Sequence, residues 1–183
     1  RVVIASSPAR AYGLLLAAIR SPDPVLFLEP KRIYRATKQP VVDNGVALPL
    51  DTCFTLREGS DITLISWGAM IKETLEAADE LAEDGISCEV IDVATVNPLD
   101  MDTILASVAK TGRCAIVHEA SRNLGLGAEI AANLAEKALM DLQAPPIRIT
   151  GYDTVMPYFR LENHFMPNTA DIKEAVRQTL EFT

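Results

Sequence analysis

The chain has 183 residues, of which 49% are hydrophobic and 23% charged, and its formal net charge is −8. This length fits one ordinary domain and a fragment of another, since domains usually contain about 100 to 200 residues. Nucleic acids and anionic membrane surfaces are bound by basic clusters, and the densest one here is only Lys31 and Arg32 with Arg35. No uninterrupted apolar stretch approaches the roughly 20 residues that span a bilayer. We therefore expect a soluble protein that binds neither nucleic acid nor membrane.

The first 35 residues predict a strand, a helix and a second strand. Residues 2–5 form an apolar β-type run, and Ser6-Ser7-Pro8 has the Ser cap and the early Pro of a helix start. A helical segment over residues 9–20 precedes the apolar run 25–28, which is typical of a strand covered on both faces. These elements are too few to close a core, and the chain opens on a strand without an initiator Met. We expect it to be the carboxyl-terminal part of a longer polypeptide.

An irregular connector is predicted for residues 36–58, which lack a helical period and contain two Pro residues and an Asn-Gly pair. Short edge strands are expected near residues 46–48 and 53–56. We place the domain boundary within this connector. Residues 1–45 would then be the end of one α/β domain with its linker, and residues 46–183 would be a second domain.

Strand and helix patterns alternate regularly from residue 60 onward. The helical segment places Ile71 and Leu75 on one face and most of its charged residues on the other. Gly85 and Gly112 follow helix ends, where a left-handed cap favours glycine. Helices between successive strands imply right-handed crossovers, and therefore a three-layer α/β fold with a mostly parallel sheet. Predicted strands cover residues 62–66, 88–93, 114–117 and 147–150, and predicted helices cover 70–84, a segment through Lys110, 127–142 and 169–182.

The 18-residue segment 151–168 has no usable period and is rich in aromatic and Met side chains. Loops of this length are uncommon in a compact domain unless they bind something, and this composition is typical of a partner surface. The alternative is a loop that packs over its own core. We favour an interface role over a metal site for His164, because no second ligand stands at chelating spacing.

Two short motifs lie near predicted carboxyl ends of strands, where open parallel sheets bind ligands. His118 and Glu119 are the best local acid–base candidate, but a structural or interface role is favoured for such a lone pair. Gly125-Leu126-Gly127 would let a phosphate approach a helix terminus. Because Ile130 replaces the third glycine of the dinucleotide fingerprint, close helix packing is the preferred explanation.

The cysteines and the turn after the second strand have structural explanations. Cys53, Cys88 and Cys114 are isolated, odd in number and mostly set in apolar patterns, which predicts buried free thiols in a reducing compartment. The turn 29–32 (Glu-Pro-Lys-Arg) could hold an anion with its basic pair, or it could form ion pairs.

Blocks along the whole chain resemble, in order, the β subunits of the E1 component of 2-oxo acid dehydrogenases, which belong to the transketolase superfamily. The first block is the run 25–35, VLFLEPKRIYR. The others are SWGAM at 66–70, EVIDV at 89–93, NPLD at 97–100, KTGR at 110–113, VHEA at 117–120, GAEI at 127–130, TGYDT at 150–154 and Pro157-Tyr158.

The resemblance implies a transketolase C-terminal-domain-like fold preceded by the end of a pyrimidine-binding α/β domain. It also implies a heterotetramer of two α and two β subunits that uses thiamine diphosphate and Mg²⁺, decarboxylates a 2-oxo acid and acylates the lipoyl groups of an acyltransferase, E2. Pyruvate is the expected substrate, and branched-chain 2-oxo acids are the alternative. The α subunit and the first β domain hold the cofactor in this family. No residue of this stretch is therefore expected to bind cofactor or metal or to act in catalysis, and the compartment would be the bacterial cytoplasm or the mitochondrial matrix.

The resemblance leaves subunit assembly and E2 docking as the work of this stretch. Its partners would be the E1 α subunit, a second β subunit and the peripheral subunit-binding domain of E2. Some relatives place an acidic docking residue before an Ala-Pro pair; Gln143 stands there in this chain, with Asp141 and Glu136 nearby. The candidate interface or docking residues are His118, Glu119, Arg122, Asp141, Gln143, Asp153, Tyr158, His164 and Phe165.

Two other interpretations of the sequence remain. One is a stand-alone interaction module that never joins an enzyme, which co-purification with a thiamine-binding α chain would distinguish. The other is the tail of a single-chain transketolase or deoxyxylulose phosphate synthase, against which the block 29–35 argues.

Overall fold

The structure is a computed structural model that describes residues 1–182. The strands are β1 (Val2–Ile4), β2 (Leu26–Leu28), β3 (Phe54–Arg57), β4 (Ile62–Ser66), β5 (Cys88–Asp92), β6 (Thr95–Asn97), β7 (Cys114–Ser121) and β8 (Ile147–Gly151). The helices are α1 (Pro8–Arg20), α2 (Ile71–Glu83), α3 (Met101–Thr111), α4 (Leu126–Lys137), α5 (Glu162–Phe165) and α6 (Thr169–Leu180). Within residues 1–182 no helix has the length and apolar character needed to cross a bilayer.

A small three-stranded sheet has the order β2-β1-β6. β1 and β2 are parallel and connected through α1, whereas β6 arrives from the later part of the chain and pairs antiparallel to β1. α1 starts as predicted, with Pro8 in its first turn and the Ser7 side chain accepting a hydrogen bond from the Arg10 backbone N–H. Val3 and Leu14 are fully buried between this sheet and α1.

A larger five-stranded sheet has the order β3-β5-β4-β7-β8. Its strands are parallel except for β3, which runs antiparallel to β5 at one edge. One face packs against α2 and α6 through a core that includes Leu64 and Val90. The opposite face packs against α3 and α4 through a core that includes Ile65 and Ile116. The predicted three-layer, mostly parallel α/β fold is therefore confirmed.

The two glycines predicted as left-handed caps adopt that conformation. Gly85 follows α2 with a φ of 80°, and Gly112 ends α3 with a φ of 71°. Asn168 caps α6, because its side chain accepts from backbone N–H groups of the first turn while Asp171 accepts from the Asn168 N–H.

Several predicted boundaries were wrong. Residues 46–48 form no strand, because the Leu48 N–H donates to the Gly13 carbonyl of α1 and not to a neighbouring strand. α4 ends at Lys137 and not at residue 142, since the apolar Leu139 and Met140 that suggested its continuation are exposed to solvent. β7 continues to Ser121, four residues beyond the predicted end, because β8 pairs with it along this extension.

Candidate functional site

The carboxyl edge of the larger sheet meets the small sheet at a polar seam. Asp92, the last residue of β5, accepts hydrogen bonds from the Ser6 hydroxyl and from the Ala94 N–H. Burial raises the pKa of Asp92 to about 6, although the two hydrogen bonds and the nearby Arg10 oppose this shift. The carboxyl of a residue in the larger sheet is thus a direct link to the small one.

A second link at the seam is the ion pair between Arg32 and Glu73 of α2. Glu73 is buried, and its second oxygen, Oε2, has no hydrogen-bond partner among residues 1–182. The sequence left two roles open for the turn 29–32, which were anion binding and ion pairing. Arg32 forms an ion pair. Sequence reasoning missed Glu73, which reads as one of many polar residues on an amphipathic helix and lies 41 positions from its partner.

His118 lies inside β7 and not at its end, so the predicted strand-edge position was wrong. Its ring is 1% exposed and stacks on Trp67, with ring centroids 5.3 Å apart. Neither ring nitrogen has a hydrogen-bond partner among residues 1–182. Burial is the largest cause of the lowered pKa of His118, and Arg148 adds to it while the Ala120 backbone opposes it.

The ring of His118 also explains the Gly-Leu-Gly sequence at the start of α4. A Cβ atom on Gly127 would lie 2.5 Å from His118 Nε2, and one on Gly125 would lie 2.7 Å from His118 Cε1. These glycines therefore allow the helix to pack closely on β7, which is the explanation preferred from the sequence.

Glu119, the next residue of β7, points to the opposite side of the sheet and is exposed. Partial desolvation raises its pKa, Arg32 opposes this shift, and the carboxyl groups of Glu162 and Glu73 reinforce it. Glu119 therefore adds to the acidic surroundings of the Arg32–Glu73 pair.

Arg122 and Asp153 stabilise the end of β7 and the loop that follows β8. Arg122 donates to the Arg148 carbonyl at 3.2 Å, and Arg148 donates back to the Arg122 carbonyl at 2.9 Å. The Asp153 carboxylate accepts from the Asn123 N–H at 2.7 Å. Both Arg122 and Asp153 are exposed and lie along the outer edge of the sheet beside β8.

The aromatic segment 151–168 is largely solvent-exposed. Tyr158 is 96% exposed and Phe159 is 88% exposed, and His164 also lies at the surface. In contrast, Phe165 of α5 is buried and meets Tyr152 edge-on at 6.3 Å. The segment is thus anchored to the domain by Phe165 while it presents other aromatic groups to solvent.

Asp141 and Gln143 lie elsewhere, in the turn after α4, and both are exposed. The Gln143 N–H donates to the Gly112 carbonyl at 2.7 Å, and this bond ties the turn to the end of α3. Taken together, seven of the nine candidate residues are at the surface, and His118 and Phe165 are interior. The structure brings His118, Glu119, Arg122 and Asp153 together around the β7–β8 edge and keeps Asp141 and Gln143 apart from them.

Among residues 1–182, no cluster of three or more His, Cys, Asp and Glu side chains is placed to bind a metal ion. Cys53, Cys88 and Cys114 are free and buried, as predicted, and burial raises the pKa of Cys53 and Cys114 to about 12.

Comparison with known proteins provides relatives over the full length of the chain. The pyruvate dehydrogenase E1 component subunit β of Staphylococcus epidermidis is 48% identical over 182 residues, and that of Bacillus subtilis is 46% identical over 182 residues. Each alignment covers 100% of this chain and 56% of the relative, so the chain spans about half the length of the curated relatives it matches.

A solved structure, a split-gene transketolase described as an inactive β4 tetramer, has the same fold with a TM-score of 0.78 at 24% identity. This alignment covers 99% of this chain and 57% of the other. Residues 52–172 match the family described as the C-terminal domain of transketolase. Since this match covers more than half of the chain, the chain belongs to the transketolase C-terminal domain family.

Proposed function

We propose that this chain is the carboxyl-terminal part of the β subunit of a thiamine diphosphate-dependent 2-oxo acid dehydrogenase, the E1 component, with pyruvate as substrate. The observation that carries the proposal is the 46–48% identity to β subunits of pyruvate dehydrogenase E1 along the entire chain. Residues 1–45 would be the end of the pyrimidine-binding domain and its linker, and residues 46–183 the transketolase C-terminal domain. The bacterial origin of these relatives favours the cytoplasm over the mitochondrial matrix.

The role of this stretch would be assembly with an E1 α subunit and a second β subunit, and docking of the subunit-binding domain of E2. Glu119, Arg122, Asp153, Tyr158 and His164 are the surface residues of the proposed subunit interface. His118 and Phe165 would act indirectly, because they support β7 and the aromatic segment from inside. Asp141 and Gln143, which lie apart, would contribute to E2 docking. Thiamine diphosphate and Mg²⁺ would be held by the α subunit and by the first β domain.

Reconstitution tests the proposal. The full-length β subunit that contains this chain is mixed with its α subunit, thiamine diphosphate and Mg²⁺, and decarboxylation is measured with pyruvate and with branched-chain 2-oxo acids. We expect turnover of pyruvate by the mixture and none by this chain alone. Preference for the branched-chain acids would assign the alternative substrate, and turnover by the isolated chain or failure to bind an α subunit would contradict the proposal.

The exposed aromatic segment provides a matched pair of variants for the same experiment. Phe159→Lys places a charge in the proposed interface, whereas Ile19→Lys places one on a 72% exposed aliphatic residue of α1. Analytical ultracentrifugation should show weakened assembly for Phe159→Lys only. Equal assembly of both variants would remove this segment from the interface.

A further inference from the structure

An open cavity of about 930 Å³ lies between α1, the connector and α2. Its size falls in the upper part of the range of small-molecule sites. One wall is α1, the opposite wall is the outer surface of α2, and the connector between residues 37 and 48 closes one side. Its apolar lining includes Val42, Val46, Leu48, Leu56, Ile71 and Leu75.

The connector wall is firmly attached to α1, so the cavity is preformed. The Tyr12 hydroxyl donates to Asp43 at 2.6 Å and accepts from the Gly45 N–H at 2.9 Å. Leu48 packs on α1 at Gly13, where a Cβ atom would lie 2.5 Å from Leu48 Cγ. Glycine is therefore required at this position for the connector to approach the helix.

Four charged residues line the cavity, and three of them have ion-pair partners. Lys72 pairs with Glu76 at 3.0 Å, and Asp79 pairs with Arg57 of β3. Arg10 is the fourth, and its guanidinium makes no hydrogen bond or ion pair with any of residues 1–182. Arg10 is thus the one charged residue of this lining that has no direct ion-pair partner among residues 1–182.

The guanidinium of Arg10 is held in place although its N–H groups are free. Its central carbon lies 3.7 Å from the centroid of the Phe54 ring, so one face of the planar group is covered. Burial lowers the pKa of Arg10, and Asp92 opposes this shift from a distance. Asp92 acts on Arg10 through charge alone and makes no hydrogen bond to it, so the planar fork of Arg10 is available.

We propose that this cavity binds an organic monoanion, a carboxylate with an apolar body, whose carboxylate pairs with Arg10. The planar guanidinium fork matches a carboxylate in a bidentate geometry. A dianion such as phosphate is disfavoured, because Arg10 is the one cation of the lining without a direct ion-pair partner among the described residues, and the carboxyl groups of Asp92, Glu76 and Asp79 lie near. The apolar body would lie against Leu56, Ile71 and Leu75. This site is separate from the proposed subunit interface and does not depend on it.

Hexanoate is a suitable probe, with hexanol, acetate and inorganic phosphate as comparisons, and calorimetry on the polypeptide that contains this chain measures binding. We expect hexanoate to bind with a Kd of about 1 mM or tighter, the scale for a ligand of this size. Methyl resonances of Leu56, Ile71 and Leu75 should shift on binding. Binding of hexanol or phosphate as tight as that of hexanoate would overturn the proposal, as would shifts confined to other methyl groups.

Three variants complete the test. Arg10→Met keeps an apolar stem against Phe54 and should weaken hexanoate binding about 10-fold or more, the scale for loss of a charged hydrogen bond. The matched control Lys72→Met removes a cation that Glu76 already compensates, and it should change the Kd less than about 2-fold. Val42→Glu adds a carboxylate at a 72% exposed position of the lining and should also weaken binding without disturbing Arg10 itself. Unchanged affinity in Arg10→Met or in Val42→Glu would contradict the proposal.

Discussion

His118 is enclosed in a way that favours the neutral imidazole. Its ring is stacked on Trp67 and covered by the first turn of α4. The amino end of a helix carries partial positive charge, which adds to the desolvation that disfavours the imidazolium ion. The pKa of this residue is therefore lowered in the folded protein relative to the unfolded chain.

We expect His118 to destabilise the protein in mild acid. Well above the ordinary histidine pKa of about 6.5, the imidazole is neutral in both states, so its contribution is constant. Below that pH the unfolded chain binds a proton that the fold resists, and the free energy of unfolding falls by at most about 1.4 kcal/mol per pH unit. Urea unfolding at pH 7.5 and pH 5 should show this loss, and His118→Gln should reduce it.

The chain's other histidine provides the control for this measurement. His164 is exposed, so His164→Gln should leave the difference in stability between the two pH values unchanged. An equal effect of both substitutions, or no effect of His118→Gln, would contradict the assignment of the acid sensitivity to the buried ring.

The burial of single residues could be predicted from the sequence where an apolar pattern surrounds them. The burial of Cys53, Cys88 and Cys114 follows from their apolar neighbours. The position of Glu73 could not be predicted, because a polar residue on an amphipathic helix gives no indication that an arginine 41 positions away will cover it. Long-range pairs of this kind depend on how the two sheets are placed.

At the level of elements, the contact between α4 and β7 depends on the absence of a side chain. Gly127 lies in the first turn of α4, and a methyl group there would meet His118 Nε2 at 2.5 Å and Ile116 Cγ2 at 3.2 Å. Both of these residues are fully buried or nearly so and cannot move into solvent. The helix would have to shift away from the strand.

Gly127→Ala should therefore destabilise the protein by about 1 to 3 kcal/mol, the usual cost of overpacking a core. Helix propensity alone predicts the opposite sign, a gain of up to about 1 kcal/mol. Thermal and urea unfolding would measure the change. In the double variant Gly127→Ala, His118→Ala the added methyl group has room, so its cost should largely disappear, and an additive result would contradict the proposed contact.

Long elements with a clear period were predicted well, and short ones were not. The order of strands and helices from β4 to α6 follows from alternating apolar patterns, whereas β6 has three residues and no periodic signal. The end of α4 was misplaced because exposed Leu139 and Met140 continue a helical pattern that packs against nothing. Periodicity identifies a face that can be buried, but only tertiary contacts determine how far the element continues.

At the level of the whole molecule, Asp92 at the contact between the two sheets makes the free energy of unfolding depend on pH, in the sense opposite to His118. The pKa of Asp92 is about 6 in the folded protein and 3.8 in its ordinary state. Protonation of this carboxyl group therefore raises the free energy of unfolding, and this gain is fully present below about pH 4 and is lost as the pH rises through 6. The shift corresponds to on the order of 3 kcal/mol. The folded protein tolerates this cost because Ser6 and Ala94 hydrogen-bond the carboxyl group.

Asp92→Asn should remove this pH dependence. The amide is neutral at all pH values, so the stability of the variant relative to the parent should rise between pH 4 and pH 7, by up to about 3 kcal/mol. Urea unfolding across this range measures it, and comparison with the parent cancels the contribution of His118. Asp141→Asn, at an exposed site, is the control; a parallel curve for Asp92→Asn and the parent would contradict the raised pKa.

The layers of the molecule could be predicted from the sequence, but the polar contacts between the two sheets could not. Apolar runs and glycine caps are sufficient to predict the three-layer fold. The links through Ser6, Asp92, Arg32 and Glu73 join segments that are far apart in sequence, and none of them repeats with a period. The candidate interface residues follow from the resemblance and from composition, and the grouping of four of them along the β7–β8 edge depends on the strand register.

The antiparallel pairing of β6 with β1 has a consequence for the integrity of the molecule. β6 follows β5 along the chain but completes the sheet of the first segment. A strand from the later part of the chain therefore lies beside β1, a strand of the first segment. A protease that cleaves once within the exposed stretch 36–46 would sever the only covalent path between them. The two products should nevertheless stay associated and co-elute as one nicked particle until a denaturant separates them.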